Sequence, residues 1–272
     1  MIYAMKEISI EELKQLQLDI LLQVRNFCNK NGLKYFLAYG TLLGAIRHKG
    51  YIPWDDDIDI MMPRRDYDIF LRTFNGHCPS LVVYAPELNS NYYAPYANVC
   101  DSRTVLNEPY LTHKGFTIGV KIDIFPLDFV PSDDSEYERI CAESKRLNNI
   151  RNIKISNPFF YGGIDAIKLC VKKALCSLQK YKKIQHRIMT LATESAQISE
   201  MDVVDVIVFI TIPNRRFSKA VIEDSVDVEF EKEFFKAPAE YDTCLRSLFG
   251  NYMELPPIEK RVAHHNFKAY WK

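Results

Sequence analysis

The sequence has no net charge to spend on a polyanion. Its 272 residues carry 35 Lys+Arg against 35 Asp+Glu, so no global field points to nucleic acid or to an acidic partner. It also lacks a long apolar run. The longest, Val206 to Ile212, falls far short of the about 20 residues that span a bilayer. Seven cysteines are scattered at 28, 78, 100, 141, 170, 176 and 244, with no CxxC pair and no Asn-x-Ser/Thr sequon anywhere. An odd, dispersed set of this kind excludes a secreted disulfide framework. His264-His265 has neither HExxH nor any other zinc spacing. The N-terminus has no basic segment leading into an apolar one, so no signal peptide is expected. These absences together give the expectation of a reduced, cytoplasmic protein.

What is there suits a globular enzyme: 47% hydrophobic and 26% charged residues in a chain long enough to bury a core. Charge is uneven along it. Lys145 to Arg187 holds eleven basic residues against the single acid Asp165, and Glu223 to Glu240 holds seven acids against two lysines. Ser9-x-x-Glu12 is a capping box opening an amphipathic helix that Asn31-Gly32 closes. Strands are expected at Leu33–Tyr39, Asp57–Met62, Leu81–Tyr84, Tyr92–Val99 and Gly115–Phe125. Helices are expected at Leu42–Arg47, Arg64–Phe74, Ser135–Arg151, Gly163–Thr193 and Tyr241–Phe249, with short strands in Val203–Ile212 and Val226–Phe235. A strand-rich first half and a helix-rich second half read as α+β.

The chemistry concentrates in Trp54-Asp55-Asp56-Asp57-Ile58-Asp59-Ile60. Alternate residues of a strand share a face, which puts Asp57 and Asp59 about 6.5–7 Å apart with Ile58 and Ile60 toward a core. Two carboxylates so placed grip one hard cation, Mg²⁺ or Mn²⁺, and through it a phosphate. Acid–base cleavage of a glycoside normally takes its carboxylates from separate elements, so it fits less well. Gly119 to Asp128 alternates in the same manner and puts Lys121 and Asp123 on one face. If that strand lies beside the first, Asp123 completes a three-carboxylate cluster as metal ligand or general base. A solvated acidic loop is the plain alternative. Two features argue against it: the apolar residues hemming Asp59, and Gly40-Thr41, which sits between a strand and a helix where backbone N–H groups can meet a phosphate.

Tyr39-Gly40-Thr41-Leu42-Leu43-Gly44-Ala45-Ile46-Arg47, then Gly50-Tyr51-Ile52-Pro53-Trp54 and Asp57-Ile58-Asp59-Ile60, resemble the core signature of the LicD family. That family is similar to fukutin and fukutin-related protein within the nucleotidyltransferase-fold superfamily. Lys121-Ile122-Asp123-Ile124-Phe125-Pro126-Leu127-Asp128 resembles its third-acid stretch, and Phe249-Gly250-Asn251-Tyr252-Met253 through Leu255-Pro256-Pro257 its C-terminal tail. Asn251 and Phe249 depart from the usual Asp and Tyr, so neither takes a role by transfer. The likeness runs from Leu13 to His265 and is faint between Ser132 and Asn214.

The resemblance implies a nucleotidyltransferase-like mixed β-sheet core flanked by helices in residues 1–130, with a helical and C-terminal region, 131–272, completing one unit. It implies metal-dependent transfer of phosphocholine from CDP-choline to a sugar hydroxyl of a glycan or teichoic-acid precursor, with CMP released. Asp57, Asp59 and Asp123 would be the catalytic and metal-binding residues. Gly40, Thr41, Arg47, Trp54 and Lys121 would bind substrate, Arg47 as phosphate clamp. Lys121 reads equally as a structural ion pair, and Trp54, with Tyr92, Tyr93 and Tyr96, reads either as an aromatic wall for a quaternary ammonium or as plain packing. The rivals are another cargo (ribitol phosphate or phosphoethanolamine), nucleotidyl transfer proper, and a non-catalytic cation-binding module. The basic stretch 164–187 reads as an amphipathic helix, either packing its apolar stripe on the core or docking on an anionic membrane that carries a lipid-linked acceptor.

Overall fold

A computed structural model describes residues 5–112, 115–195, 203–209, 216–262 and 267–272. Helix α1 (Ile10–Asn31) begins where the capping box puts it: Ser9 Oγ accepts the Glu12 N–H at 3.2 Å, and Gly32 closes the helix at φ 65°. The expected strand after it shrinks to β1 (Phe36–Leu37), and α2 (Tyr39–His48) follows at once. Gly40 and Thr41 therefore lie inside the first turn of a helix, not in a loop before one.

The chain then runs through β2 (Asp59–Pro63), α3 (Arg64–Thr73), β3 (Leu81–Tyr84), β4 (Ala97–Asp101), β5 (Thr104–Asn107) and the long β6 (Lys121–Phe129). The expected strand at Asp57 starts two residues later, at Asp59, so Asp57 reaches the site from a loop. The strand expected at Tyr92–Val99 forms at Ala97–Asp101 because Tyr92 and Tyr93 are fully buried in loop packing instead.

The second half opens with α4 (Asp134–Ile155), capped by Asp133, whose carboxylate accepts the Glu136 N–H at 2.8 Å. Next come α5 (Pro158–Tyr161), α6 (Gly163–Leu175) and α7 (Tyr181–Ser195), so the single helix expected over Gly163–Thr193 is broken between Cys176 and Lys180. The remainder holds β7 (Val203–Asp205), β8 (Phe217–Ser218), α8 (Ala220–Glu223), β9 (Ser225–Phe230), β10 (Glu233–Pro238), α9 (Tyr241–Phe249) and β11 (Lys268–Trp271). Past Asp205 the expected strand becomes a 3-10 turn, Ile207–Phe209, and residues 210–212 lie outside the described set. The strands β9 and β10 pair as a hairpin turned by Glu231 and Lys232, both at positive φ.

The fold is α+β: a mixed sheet flanked by helices. The strand order is β1-β2-β6-β4-β3, with β7 joined to the far end of β6 and β8 to β7. Only the β2–β6 pair is parallel among these neighbours, with Asp59 opposite Asp123 and Met61 opposite Phe125. The sheet is covered on both faces. Ile60, Met62, Ile122 and Ile124 pack with α1 and α3 residues such as Leu21, Val24, Phe27 and Phe70. Met61, Phe125 and Leu127 pack on the opposite side with Tyr137 and Ile140 of α4 and Ile184 and Ile188 of α7. By the alternation of a strand, Asp59 and Asp123 share that second face, at the end of the strands where the cover gives way to a cleft.

Candidate active site

The acid pair is held by sequence-local and long-range bonds together. The N–H of Asp59 donates to Thr41 Oγ1 at 2.8 Å, so the first turn of α2 fixes the first residue of β2. The N–H of Ala38 bonds the Asp59 carbonyl at 3.0 Å, and the N–H of Asp123 bonds the Ile58 carbonyl at 2.9 Å. Asp123 Oδ1 accepts from Lys121 Nζ at 2.6 Å and from the side-chain amide of Asn98, which in turn accepts the hydroxyl of Tyr92. Lys121 thus stands as an ion pair with Asp123, one of the two roles their shared face allowed. Burial is the strongest single influence and lowers the Lys121 pKa, but Asp123 together with Tyr93, Tyr96 and Glu108 outweighs it and keeps the ammonium well above the ordinary lysine range.

Asp59 is in the opposite condition. Burial, then the charges of Asp57, Asp123 and Asp55, push its carboxyl well above the usual carboxylate range, and Lys121 opposes them only in part. Asp55, Asp56 and Asp57 add carboxylate oxygens that lie within 4.8 Å of one another. Like charges gathered at such range repel unless a cation or protons intervene. An all-oxygen donor set of this kind matches a hard divalent cation such as Mg²⁺ or Mn²⁺.

Asp57 and Asp59 open into a cleft of about 820 Å³. Tyr39, Gly40, Leu43 and Arg47 of α2, Trp54 and Asp55 of the loop, and Phe125 of β6 line one side. Phe249, Asn251, Tyr252, Glu254 through Pro257 and Lys260 line the other. Asp123 and Lys121 face a smaller recess behind the acids, with Gln17, Asp56, Asp57 and Glu108, so Asp57 borders both spaces. Tyr39 stands at φ 45° where α2 begins, and its ring meets Phe125 edge-on at 5.2 Å. A non-glycine residue in that region costs of order 1–3 kcal/mol and persists where surrounding structure enforces it.

Arg47 lines the cleft with its guanidinium committed: NH1 donates to the Tyr252 carbonyl at 2.7 Å, and Nε to His48 at 2.9 Å. It therefore ties the end of α2 to the C-terminal wall. Trp54 also lines the cleft, and the Arg261 guanidinium lies over its ring at 5.7 Å. Of the tyrosines weighed with it, Tyr92 and Tyr93 are core, and Tyr96 packs tilted against Phe125 with ring centroids 4.3 Å apart. His264 and His265 lie outside the described residues.

The sequence reading left two residues of this site unnamed in any role of weight. Asp55, given no role of its own above, lines the cleft and presses on Gly40 so closely that a Cβ there would stand 2.6 Å from its Oδ2. Asn98 positions Asp123 from a neighbouring strand, opposite it in register. The DDD run itself signals Asp55, but nothing local signals Asn98.

The family model for the LicD/FKTN/FKRP nucleotidyltransferase domain matches residues 32–146, the span that builds α2, the acid loop, β2 and β6. Those residues are similar to the nucleotidyltransferase domain of the LicD family. Along its whole length the chain is similar to the lipopolysaccharide cholinephosphotransferase LicD of Haemophilus influenzae, 26% identical over 275 residues, covering 98% of this chain and 99% of that protein. It is also similar to mannosyltransferase regulator 4 of Saccharomyces cerevisiae, 21% identical over 88% of this chain but 20% of that one. An uncharacterised protein of Rickettsia typhi is 44% identical over 62 residues, 22% of this chain and 20% of its own length.

Proposed function

We propose that this chain is a phosphotransferase that moves phosphocholine from CDP-choline to a sugar hydroxyl of a glycan or teichoic-acid precursor, releasing CMP. The observation that carries the reading is the in-register pair Asp59 and Asp123 on adjacent parallel strands, with Asp57 and Asp59 opening into the cleft beside the first turn of α2 and Asp123 lining the recess behind them. End-to-end similarity to a cholinephosphotransferase supports the cargo. Residues 1–130 and 131–272 act as one unit in this reading, because the cleft takes one wall from each.

Asp57 and Asp59 would hold Mg²⁺ or Mn²⁺, with Asp123 as third ligand or as base, and Asp55 close enough to join. When bound, such an ion would supply neutralising charge for a diphosphate and for the CMP leaving group. The protein's own share is positional. Gly40 and Thr41 offer the first-turn N–H groups of α2 to a phosphate. Lys121 and Asn98 fix Asp123 so that it can take the acceptor's proton or keep its place in the cluster. Trp54 gives an aromatic face of the kind a quaternary ammonium occupies, with Arg261 already stacked against the ring.

The test is to incubate the protein with Mg²⁺ and CDP-choline, CDP-ribitol or CDP-ethanolamine in turn and follow CMP. Turnover with CDP-choline, lost about 10³-fold or more in Asp57→Asn and Asp59→Asn, is the expected result. Turnover with only CDP-ribitol or CDP-ethanolamine transfers the reading to that cargo. Pyrophosphate release from a nucleoside triphosphate overturns it in favour of nucleotidyl transfer, and full turnover in both Asn variants removes the metal site.

A further inference from the structure

Helix α6 is mounted with its apolar face outward. At about 100° per residue, Ile164, Ile167, Val171 and Leu175 fall in one sector roughly 80° wide. A helix on a globular protein ordinarily turns such a stripe to the core. Here the four are 69%, 64%, 54% and 77% exposed. The half-buried positions are Ala166, Leu169, Lys173 and Cys176, which share the opposite sector. Lys173 is the polar member of that inner face, donating from Nζ to the Lys154 carbonyl at 2.9 Å. Of the two readings of this stretch, packing of the stripe on the core is the one the structure contradicts: a lysine points in and the aliphatic stripe points out.

The outward surface continues on both sides. In α5, Phe159 is 93% exposed and Phe160 and Tyr161 are exposed beside it. Beyond α6, Leu178 is 94% exposed. Such apolar area, contiguous in the chain, is not left bare by ordinary surface statistics. Its charge setting selects the partner. Between Asn157 and Lys183 there are six lysines (168, 172, 173, 180, 182 and 183) and one acid, Asp165. Lys168 and Lys172 border the stripe directly, and Lys182 and Lys183 are exposed at the start of α7. No described helix is long and apolar enough to cross a membrane. Aromatic and aliphatic side chains on one face with lysines along its edge are the pattern of a helix lying in the plane of an anionic lipid surface.

We propose that α5 and α6 form a peripheral docking surface for an anionic lipid bilayer, with Phe159, Ile164, Ile167, Val171, Leu175 and Leu178 entering the interface. Lysines 168, 172, 182 and 183 meet the headgroup phosphates. The surface is separate from the acid cleft and its readout needs no donor, so failure of the transfer reaction would leave it standing, and its own failure would leave the transfer reaction standing.

The test is flotation of the full chain with phosphatidylcholine vesicles, with and without phosphatidylglycerol. Wild type is expected to float with the anionic vesicles only. The combined Ile167→Ser, Val171→Ser, Leu175→Ser variant alters exposed side chains, so its melting temperature should match wild type while its partition falls by about tenfold or more. The Lys168→Gln, Lys172→Gln, Lys182→Gln, Lys183→Gln variant should lose a comparable factor, as should wild type in high salt. Unchanged flotation of either variant, or no flotation of wild type, overturns the proposal. So does sedimentation showing a wild-type dimer that the triple-serine variant breaks, because a second copy would then cover the stripe.

Discussion

Thr41 and Asp59 are joined by one hydrogen bond: the threonine hydroxyl, in the first turn of α2, accepts the backbone N–H of the aspartate at 2.8 Å. The bond couples the first turn of α2 to the strand that carries the acid. Removing the hydroxyl leaves that N–H without its acceptor, at a cost of about 1–3 kcal/mol. Thr41→Ser should keep turnover within a few-fold. Thr41→Val should melt lower and lose turnover by about tenfold or more, as thermal melts and CMP release will read. Equal activity in the two variants would remove the hydroxyl from the site.

A divalent ion should stabilise the fold and do so more as pH rises, since protons and the ion compete for the same carboxylates. Asp59 decides the sign: its carboxyl sits well above the usual range because burial and three neighbouring acids disfavour its charge. At 100-fold excess over its dissociation constant an ion bound to the native state adds about 2.7 kcal/mol. Asp59→Asn should remove most of that gain, yet raise the melting temperature in chelator by relieving repulsion. A metal-independent melting curve contradicts the cation site.

Two glycines of α2 should fail in different ways. A Cβ at Gly44 would lie 2.4 Å from the carbonyl oxygen of Gly50, which is backbone and cannot step aside. Gly44→Ala is expected to cost about 1–3 kcal/mol of stability. A Cβ at Gly40 meets the end of the Asp55 side chain instead, which can swing away. Gly40→Ala should therefore melt near wild type and lose turnover. Paired melts and assays check the separation; a folding defect at Gly40 of the same size as at Gly44 would contradict it.

Glu87 gives the fold its own pH dependence, away from the cleft. Burial pushes its carboxyl up from 4.5 to about 7, against the pull of Arg64, which it meets at 3.1 Å. A raised folded pKa favours the native state fully below the unfolded value, and the contribution is lost as pH rises through the folded one. Stability should thus decline between about pH 4.5 and 7 from this group, and Glu87→Gln should flatten that part of the melting-temperature profile. An unchanged slope rules Glu87 out.

The acid pair was legible because strand alternation is a local rule: Ile58-Asp59-Ile60 and Ile122-Asp123-Ile124 each announce one polar face among apolar neighbours. Their adjacency was legible only as a condition, and the parallel register meets it. Where long-range packing decides, the local signal ran out. β5 is four residues long and pairs with β11 near the chain's end, so nothing in its neighbourhood marks it as a strand. Asn98 earns its place from a bond to Asp123, twenty-five positions on. Periodicity showed that α6 has an apolar stripe, but periodicity carries no sign: it states that a helix has two faces and not which one the body of the protein takes.

The register of β2 against β6 makes assembly and chemistry one event. A slip by a single residue would carry Asp123 to the side of Ile122 and Ile124 and bring those isoleucines to the cleft. Such a chain would strand a carboxylate among the α1 side chains and take Asp123 out of the cluster in the same stroke. The hydrophobic core thus acts as a proofreader: a molecule that has threaded its sheet wrongly lacks the carboxylate that stands opposite Asp59.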